Sequence, residues 1–173
     1  MTRWGWMRRE LLAASFAPGP SAGGYRKRSM SGLGRNKPME ADRKVLVVED
    51  SEFVHQIYRV AFRRLGAATL VHAYNGMEGI AVLDREGPVD LIILDLNMPV
   101  MDGVTFLDEL RKRKRDWGTH VLVASTEDRD GLIREALIRG AQSFIKKPFT
   151  LEQLLELLGR VVPTLPHRSS QAG

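Results

Sequence analysis

The sequence predicts a doubly wound α/β fold, with five parallel strands, five helices and a basic tail in front of them. Short apolar runs rich in β-branched residues alternate with segments in which apolar side chains recur every three or four positions. Such regular alternation favours a parallel sheet with helices on both faces. Four of the runs end in acidic, hydroxyl or lysine side chains, and ligands of this fold bind at the carboxyl ends of the strands. We therefore expect one polar site there, built from residues far apart in the sequence.

The first predicted strand is the apolar run 44–48, and the helix that follows it ends at Gly66. Apolar residues of this helix recur at helical spacing, with arginines on the other side: Val54, Ile57, Ala61 and Leu65. The second strand is Thr69–Ala73. Asn75 and Glu78 after it have the spacing of a capping box, which predicts the start of the second helix.

The other three strands are short buried runs: Leu91–Leu94, Val121–Ala124 and Ser143–Lys146. Gly103 opens the third helix, and the fourth helix ends at Gly140. A second capping box, made by Thr150 and Gln153, begins the last helix. With five such units, the flavodoxin-like strand order 2-1-3-4-5 is the expected topology.

The strand ends carry the residue types that Mg²⁺-assisted phosphoryl transfer requires. Glu49 and Asp50 follow the first strand, and Asp95 follows the third. Three carboxylates in one pocket repel each other, and a hard divalent ion with oxygen ligands, such as Mg²⁺, relieves that repulsion. Together with Lys147 and the ion, their formal charges sum to zero. One carboxylate can then attack phosphorus, and the Ser125 hydroxyl can hydrogen-bond a phosphoryl oxygen.

The motifs that contain these residues resemble those of a known family. VLVVEDS, LIILDLNMPVMDG, VLVASTED and SFIKKPF have the order and spacing found in the receiver domain of bacterial two-component response regulators, of the stand-alone CheY-like type. The resemblance covers roughly Arg43 to Val162. The block LDLNMPVMDG is a highly specific signature, whereas an ED or KP dipeptide alone would mean little.

The resemblance implies the metal and acceptor residues. Asp95 is the expected phosphoacceptor, and Glu49 and Asp50 are the expected Mg²⁺ carboxylates. The backbone carbonyl of Asn97 is a further expected ligand. Asn97 also flanks the path of the hydrolytic water in this family, together with Glu127, and this polar pair suits a phosphorylated state that decays quickly.

The resemblance also implies the switch residues. Ser125 is the expected switch hydroxyl, Phe144 the switch aromatic and Lys147 the lysine that contacts the phosphoryl group. Serine at 125 and phenylalanine at 144 are mild departures, because threonine and tyrosine are commoner there. The bond between Lys147 and Pro148 is expected to be cis, since the family uses that geometry to aim the lysine.

The implied function is a signalling switch rather than an enzyme. A sensor histidine kinase or phosphotransfer protein would phosphorylate Asp95, and the signal would reach an unidentified output protein through the face of the fourth helix, fifth strand and fifth helix. Because the sequence ends soon after the last helix, we expect no output domain and either a monomer or a weak phosphorylation-dependent dimer. The enzyme alternative is a phosphohydrolase with an aspartate nucleophile. Such an enzyme would require a second acidic residue at the position that Asn97 occupies.

The composition and charge of the chain limit the classes of partner and compartment that suit it. The 173-residue chain has no cysteine, which excludes disulfides and favours a reducing cytoplasm. No apolar run approaches the ~20 residues that a membrane span needs. The formal net charge is +5, but residues 1–38 carry +7 and residues 39–173 carry −2. The basic charge thus lies in front of the domain, and nucleic-acid binding through that segment is a minor alternative.

The domain limits follow from the same pattern. Residues 1–42 have no sustained apolar period, so we expect a disordered basic extension. The receiver domain should span 43–162, and a flexible tail 163–173. Met39 would make a natural start, which would leave the extension dispensable; a basic arm or a targeting segment are the other interpretations.

Overall fold

The computed structural model describes residues 43–66, 68–113, 118–126 and 130–165 of the chain. Within these ranges five strands alternate with five helices, as the sequence predicts. In chain order they are β1 Lys44–Val48, α1 Glu52–Leu65, β2 Thr69–Ala73, α2 Gly76–Glu86, β3 Leu91–Leu94, α3 Gly103–Lys112, β4 His120–Ser125, α4 Asp130–Ile138, β5 Ser143–Lys146 and α5 Leu151–Val161. The predicted basic extension over 1–42 lies outside the described residues.

The five strands form one parallel sheet in the order β2-β1-β3-β4-β5, which confirms the predicted topology. The ends of β1 and β3 are level, because Val48 pairs with Leu94, whereas β4 continues two residues beyond Val123, the partner of Leu94. The residues that follow β1 and β3 therefore emerge side by side at one edge of the sheet.

Side chains on both faces of the sheet are buried, which produces two core layers. One layer packs strand residues such as Leu46 and Leu94 against α2, α3 and α4. The other packs residues such as Val47 and Ile93 against α1 and α5. Each fully buried aliphatic side chain stabilises the fold by roughly 1.5–3 kcal/mol. Every helix in the described ranges is too short or too polar to cross a membrane.

The buried face of α1 differs from the face that the apolar spacing indicates. The fully buried residues are His55, Tyr58, Ala61 and Phe62. The other predicted inward residues pack only at the edge of the core: Val54, Ile57 and Leu65. The helix is therefore rotated so that two aromatic rings and a histidine contact the sheet. The polar side-chain atoms of His55 and Tyr58 make these two residues weak signals in a pattern based on hydrophobicity.

The helix caps agree with the sequence in one case and differ slightly in the other. Thr150 and Gln153 form the complete capping box at the start of α5. At α2, Asn75 accepts a hydrogen bond from the Glu78 N–H. The Glu78 carboxylate, however, accepts from the Tyr74 N–H at 2.8 Å, one residue earlier than the standard box.

The packed domain continues beyond its predicted end at residue 162. Val162–Thr164 form a short 3₁₀ helix, and the Leu165 side chain is 3% exposed in the core layer of α1 and α5. Residues 163–165, which the sequence assigns to the flexible tail 163–173, thus pack on the domain. The part of that tail from residue 166 lies outside the described ranges.

Candidate functional site

Hydrogen bonds that extend the sheet by one residue hold the two main acidic positions. The Glu49 N–H donates to the Ala73 carbonyl at 3.0 Å, and the Asp95 N–H donates to the Val48 carbonyl at 2.9 Å. The residues after β1 and β3 are thus still part of the parallel ladder. Their side chains have a fixed origin at the edge where such folds place ligands.

The three predicted carboxylates meet at this edge. Oxygens of Glu49, Asp50 and Asp95 lie within 4.8 Å of one another. The Glu49 and Asp95 residues are 2% and 6% exposed, whereas Asp50 is open to solvent. This donor set of close carboxylate oxygens, one of them accessible, fits a hard divalent cation such as Mg²⁺.

Lys147 joins the two buried carboxylates. Its Nζ donates to Glu49 Oε2 at 2.5 Å and to Asp95 Oδ2 at 2.6 Å, and its side chain is 11% exposed. The backbone positions it, because the Lys147 N–H donates to the Ser125 carbonyl at 2.8 Å. The peptide bond to Pro148 is cis, which confirms the prediction.

The Glu49 carboxyl shows the electrostatic consequence. Burial raises its pKa above the usual 4.5, the contacts with Lys147 oppose that rise, and repulsion from Asp95 adds to it. The charged form of Glu49 is thus disfavoured in the protein alone. Added positive charge at the cluster would restore it.

The loop between β3 and α3 shapes the other side of Asp95. Asp95 Oδ1 accepts a hydrogen bond from the Asn97 N–H at 3.1 Å, which places the Asn97 backbone beside the carboxylate. Gly103 packs so closely that a Cβ there would overlap the Asp95 carbonyl oxygen and lie 2.8 Å from the Leu96 Cα. Val100 adopts φ 69°, a left-handed conformation that β-branched residues rarely take.

The structure places the switch candidates near this edge. Ser125 ends β4 and is 0% exposed. Phe144 pairs with Val123 in the adjacent strand and packs, half-buried, on the layer of α2, α3 and α4. Of the predicted water-path pair, Asn97 is exposed, and Glu127 lies outside the described residues.

His55 is a further neighbour of the site. From the sequence we expect His55 near the acidic pocket but on the surface, and the surface position is wrong, because the residue is 0% exposed. Its Nε2 lies 2.8 Å from the Glu49 carbonyl oxygen, and its Nδ1 lies 2.7 Å from Nδ1 of His72. Its three-residue spacing from Tyr58 was the available signal, since both share the helix face that contacts the sheet.

Comparison with known proteins gives one consistent result. The family described as the response regulator receiver domain matches residues 45–159. The chemotaxis protein CheY of Treponema pallidum is 32% identical over 127 residues, which cover 73% of this chain and 87% of the relative. Chemotaxis protein CheY of Bacillus subtilis is 27% identical over 119 residues, which cover 69% of this chain and 97% of the relative.

Solved structures show the same similarity. Vibrio cholerae chemotaxis protein CheY4 has a TM-score of 0.62 at 34% identity, covering 70% of this chain and 99% of that one. CheY in the CheX-CheY-BeF3-Mg²⁺ complex of Borrelia burgdorferi has a TM-score of 0.62 at 30% identity, covering 69% and 88%. A phosphorylated cyanobacterial phytochrome response regulator, RcpA, has a TM-score of 0.63 at 28% identity, covering 73% and 100%.

Proposed function

The chain belongs to the response regulator receiver domain family, and on that premise we propose that Asp95 accepts a phosphoryl group from a histidine kinase or phosphotransfer protein. Receiver domains are phosphoacceptor switches of two-component signalling. The observation that supports Asp95 as the acceptor is its setting: a nearly buried carboxylate beside two further carboxylates, with Lys147 on one oxygen and the Asn97 N–H on the other.

The residues around Asp95 suit an in-line displacement at phosphorus. A carboxylate oxygen attacks phosphorus, the bond to the histidine nitrogen of the donor breaks, and that nitrogen keeps the electron pair. The Asn97 and Lys147 contacts fix the orientation of the carboxylate before reaction. The Lys147 ammonium also offsets charge that gathers on the phosphoryl oxygens.

A divalent cation completes the proposed site. Receiver domains bind Mg²⁺ at an acidic pocket, and here Glu49, Asp50, Asp95 and the Asn97 carbonyl would hold it. Bound there, the ion would supply positive charge to the carboxylates and to the phosphoryl oxygens. Lys147 would then be released from its double contact with the carboxylates and become available to a phosphoryl oxygen.

We further propose that the signal leaves through the face formed by α4, β5 and α5. The buried Ser125 hydroxyl would bond a phosphoryl oxygen, and Phe144 would turn inward in the active state. Protein binding as output is supported by the Borrelia burgdorferi relative, whose structure is a complex of CheY with CheX. Asn97 and Glu127 are proposed to admit the water that ends the signal.

Labelling with a small phosphodonor tests the acceptor. We expect acetyl phosphate with Mg²⁺ to add one base-labile phosphoryl group, seen by intact mass, and we expect Asp95→Asn to remain unlabelled. Asp84→Asn is the matched control, because Asp84 is exposed near the far end of α2 and pairs with Arg113 at 3.2 Å. Chelation of the metal should stop labelling. Equal labelling of Asp95→Asn and wild type would reject Asp95 as the acceptor.

A further inference from the structure

A series of hydrogen bonds connects the surface of α1 to the backbone of Glu49. His55 on α1 and His72 on β2, together called the histidine pair, form its centre. Their Nδ1 atoms are 2.7 Å apart, and their rings meet edge to face with centroids 4.7 Å apart. Beyond the pair, Arg59 Nε lies 3.3 Å from His72 Nε2, and His55 Nε2 lies 2.8 Å from the Glu49 carbonyl oxygen.

Only one arrangement of protons satisfies all three contacts with neutral rings. The Arg59 guanidinium keeps its protons, so its Nε–H donates and His72 Nε2 must accept. Neutral His72 then carries its proton on Nδ1 and donates to His55 Nδ1. Neutral His55 in turn carries its proton on Nε2 and donates to the Glu49 carbonyl. Each ring thus fixes the tautomer of the next.

The outer end of the series is held by its own contacts. Arg59 donates to Glu52 Oε1 at 2.9 Å, and Tyr74 donates from its hydroxyl to Glu52 Oε2 at 2.6 Å. Burial, together with the neighbouring His55 and Arg59, lowers the pKa of His72 to about 4, which agrees with a neutral ring. Arg59, held in place by Glu52, therefore sets which nitrogen donates and which accepts in each hydrogen bond between it and Glu49.

We propose that His55 is a positioning residue for the acidic loop: its Nε2–H bond to the Glu49 carbonyl fixes the peptide that joins Glu49 to Asp50. The Glu49 N–H is already tied to the Ala73 carbonyl at 3.0 Å. The bond from His55 restrains the opposite side of the same residue. The two proposed metal-binding carboxylates that flank this peptide thereby keep their relative orientation. This inference rests on the proposed function, because that function requires the loop at Glu49 and Asp50 to bind a metal ion.

Metal affinity measured without a phosphodonor tests the proposal. His55→Leu removes the donor and keeps an apolar body, and we expect it to weaken Mg²⁺ binding about tenfold or more, as loss of a ligand-orienting partner does. His55→Gln places an amide Nε2–H at a similar reach and should recover most of the affinity. The matched control is His120→Leu, which removes a half-buried histidine that bonds Ser143 Oγ at 2.7 Å. Its Mg²⁺ affinity should stay within twofold of wild type.

Nitrogen-15 spectra of the wild-type histidines supply a second readout that requires no variant to fold. They should show His55 protonated on Nε2 and His72 protonated on Nδ1, both neutral, in metal-free protein. Unchanged Mg²⁺ affinity in folded His55→Leu, or the reverse tautomers, would overturn the proposal. Absence of Mg²⁺ binding in wild type would overturn it as well. Failure of Asp95 labelling with Mg²⁺ binding intact would instead count against the proposed function alone.

Discussion

Charge balance dominates the site at the scale of single residues. Lys147 contacts both Glu49 and Asp95, yet one ammonium offsets one carboxylate, and the two carboxylates are almost fully buried. Burial raises the pKa of Glu49, repulsion from Asp95 adds to the rise and Lys147 opposes it, so the site disfavours ionisation of this carboxyl. The protein alone therefore keeps an acidic cluster that weakens the fold, a pattern expected where function needs a charge-binding site.

Glu49→Gln should raise the melting temperature in the presence of a chelator at pH 7.5. The pKa of Glu49 is higher in the folded than in the unfolded protein, so the unfolded state gives up this proton more readily. The neutral Glu49 carboxyl contributes stability that is fully present below its unfolded pKa of 4.5. This stability is lost as pH rises through the raised pKa of the folded protein. The histidines with lowered pKa values change stability in the opposite direction but are common to both proteins, so melts at pH 5 and pH 7.5 should show Glu49→Gln gaining stability relative to wild type as pH rises.

Added Mg²⁺ provides the internal control for that comparison. At a concentration 100 times its dissociation constant, the ion should raise the free energy of unfolding of wild type by about 2.7 kcal/mol. Glu49→Gln should gain much less. If Glu49→Gln is less stable than wild type in chelator at pH 7.5, the inference that the ionised Glu49 carboxylate destabilises the fold is wrong.

Val100→Asn should stabilise the domain by about 1 kcal/mol. The φ of 69° at Val100 is costly for a β-branched residue, whereas asparagine tolerates this region. The side chain is 76% exposed, so its loss removes little packing. Urea unfolding measures the change, and Val60→Asn on α1, an exposed valine in helical geometry, should not be stabilising. Equal effects of the two substitutions would remove backbone strain as the cause.

At the scale of elements, the sequence predicted strands better than faces of helices. Short apolar runs located all five strands: β1, β3 and β4 are buried on both faces and apolar along almost their whole length, whereas β2 and β5 at the sheet edges are only partly buried. The carboxyl ends of β1 and β3 then located Glu49 and Asp95. The face of α1 was not predictable in this way, since His55 becomes buried through hydrogen bonds to Glu49 and to His72 on β2, and Tyr58 through ring packing with Phe149.

The contact between α3 and the end of β3 gives an element-scale prediction. Gly103→Ala should destabilise the domain by about 1–3 kcal/mol, because the new Cβ would overlap the Asp95 carbonyl oxygen. The required shift would also move the acceptor, so acetyl phosphate labelling should slow. Gly159→Ala in α5 is the control: its Cβ would meet open space, and helix propensity should stabilise the protein slightly. Urea midpoints of the two variants should therefore move in opposite directions, and a shared direction would contradict the packing argument.

At the scale of the whole molecule, the proposed switch couples the acidic edge to the surface of α4, β5 and α5. Ser125 and Lys147 belong to neighbouring chain segments joined by the Lys147 N–H bond to the Ser125 carbonyl. Phe144 lies on β5, three residues before that lysine. A phosphoryl group that draws both Ser125 and Lys147 toward Asp95 would act on both flanks of Phe144. Such a ligand shifts the balance between two conformations only through contacts that differ between them.

Ser125→Ala should therefore accept the phosphoryl group but transmit it poorly. The hydroxyl is proposed to contact the group after transfer, so labelling of Asp95 should stay within a few-fold of wild type. Backbone amide shifts around Phe144 should respond less to beryllofluoride and Mg²⁺ than in wild type. Ser143→Ala is the control. It removes a hydroxyl that hydrogen-bonds His120 at the start of β5, the end of that strand away from Lys147, and it should leave the shift response intact. An undiminished shift response in Ser125→Ala would show that this hydroxyl is not part of the switch. Loss of Asp95 labelling would instead show that the hydroxyl acts in phosphoryl transfer itself.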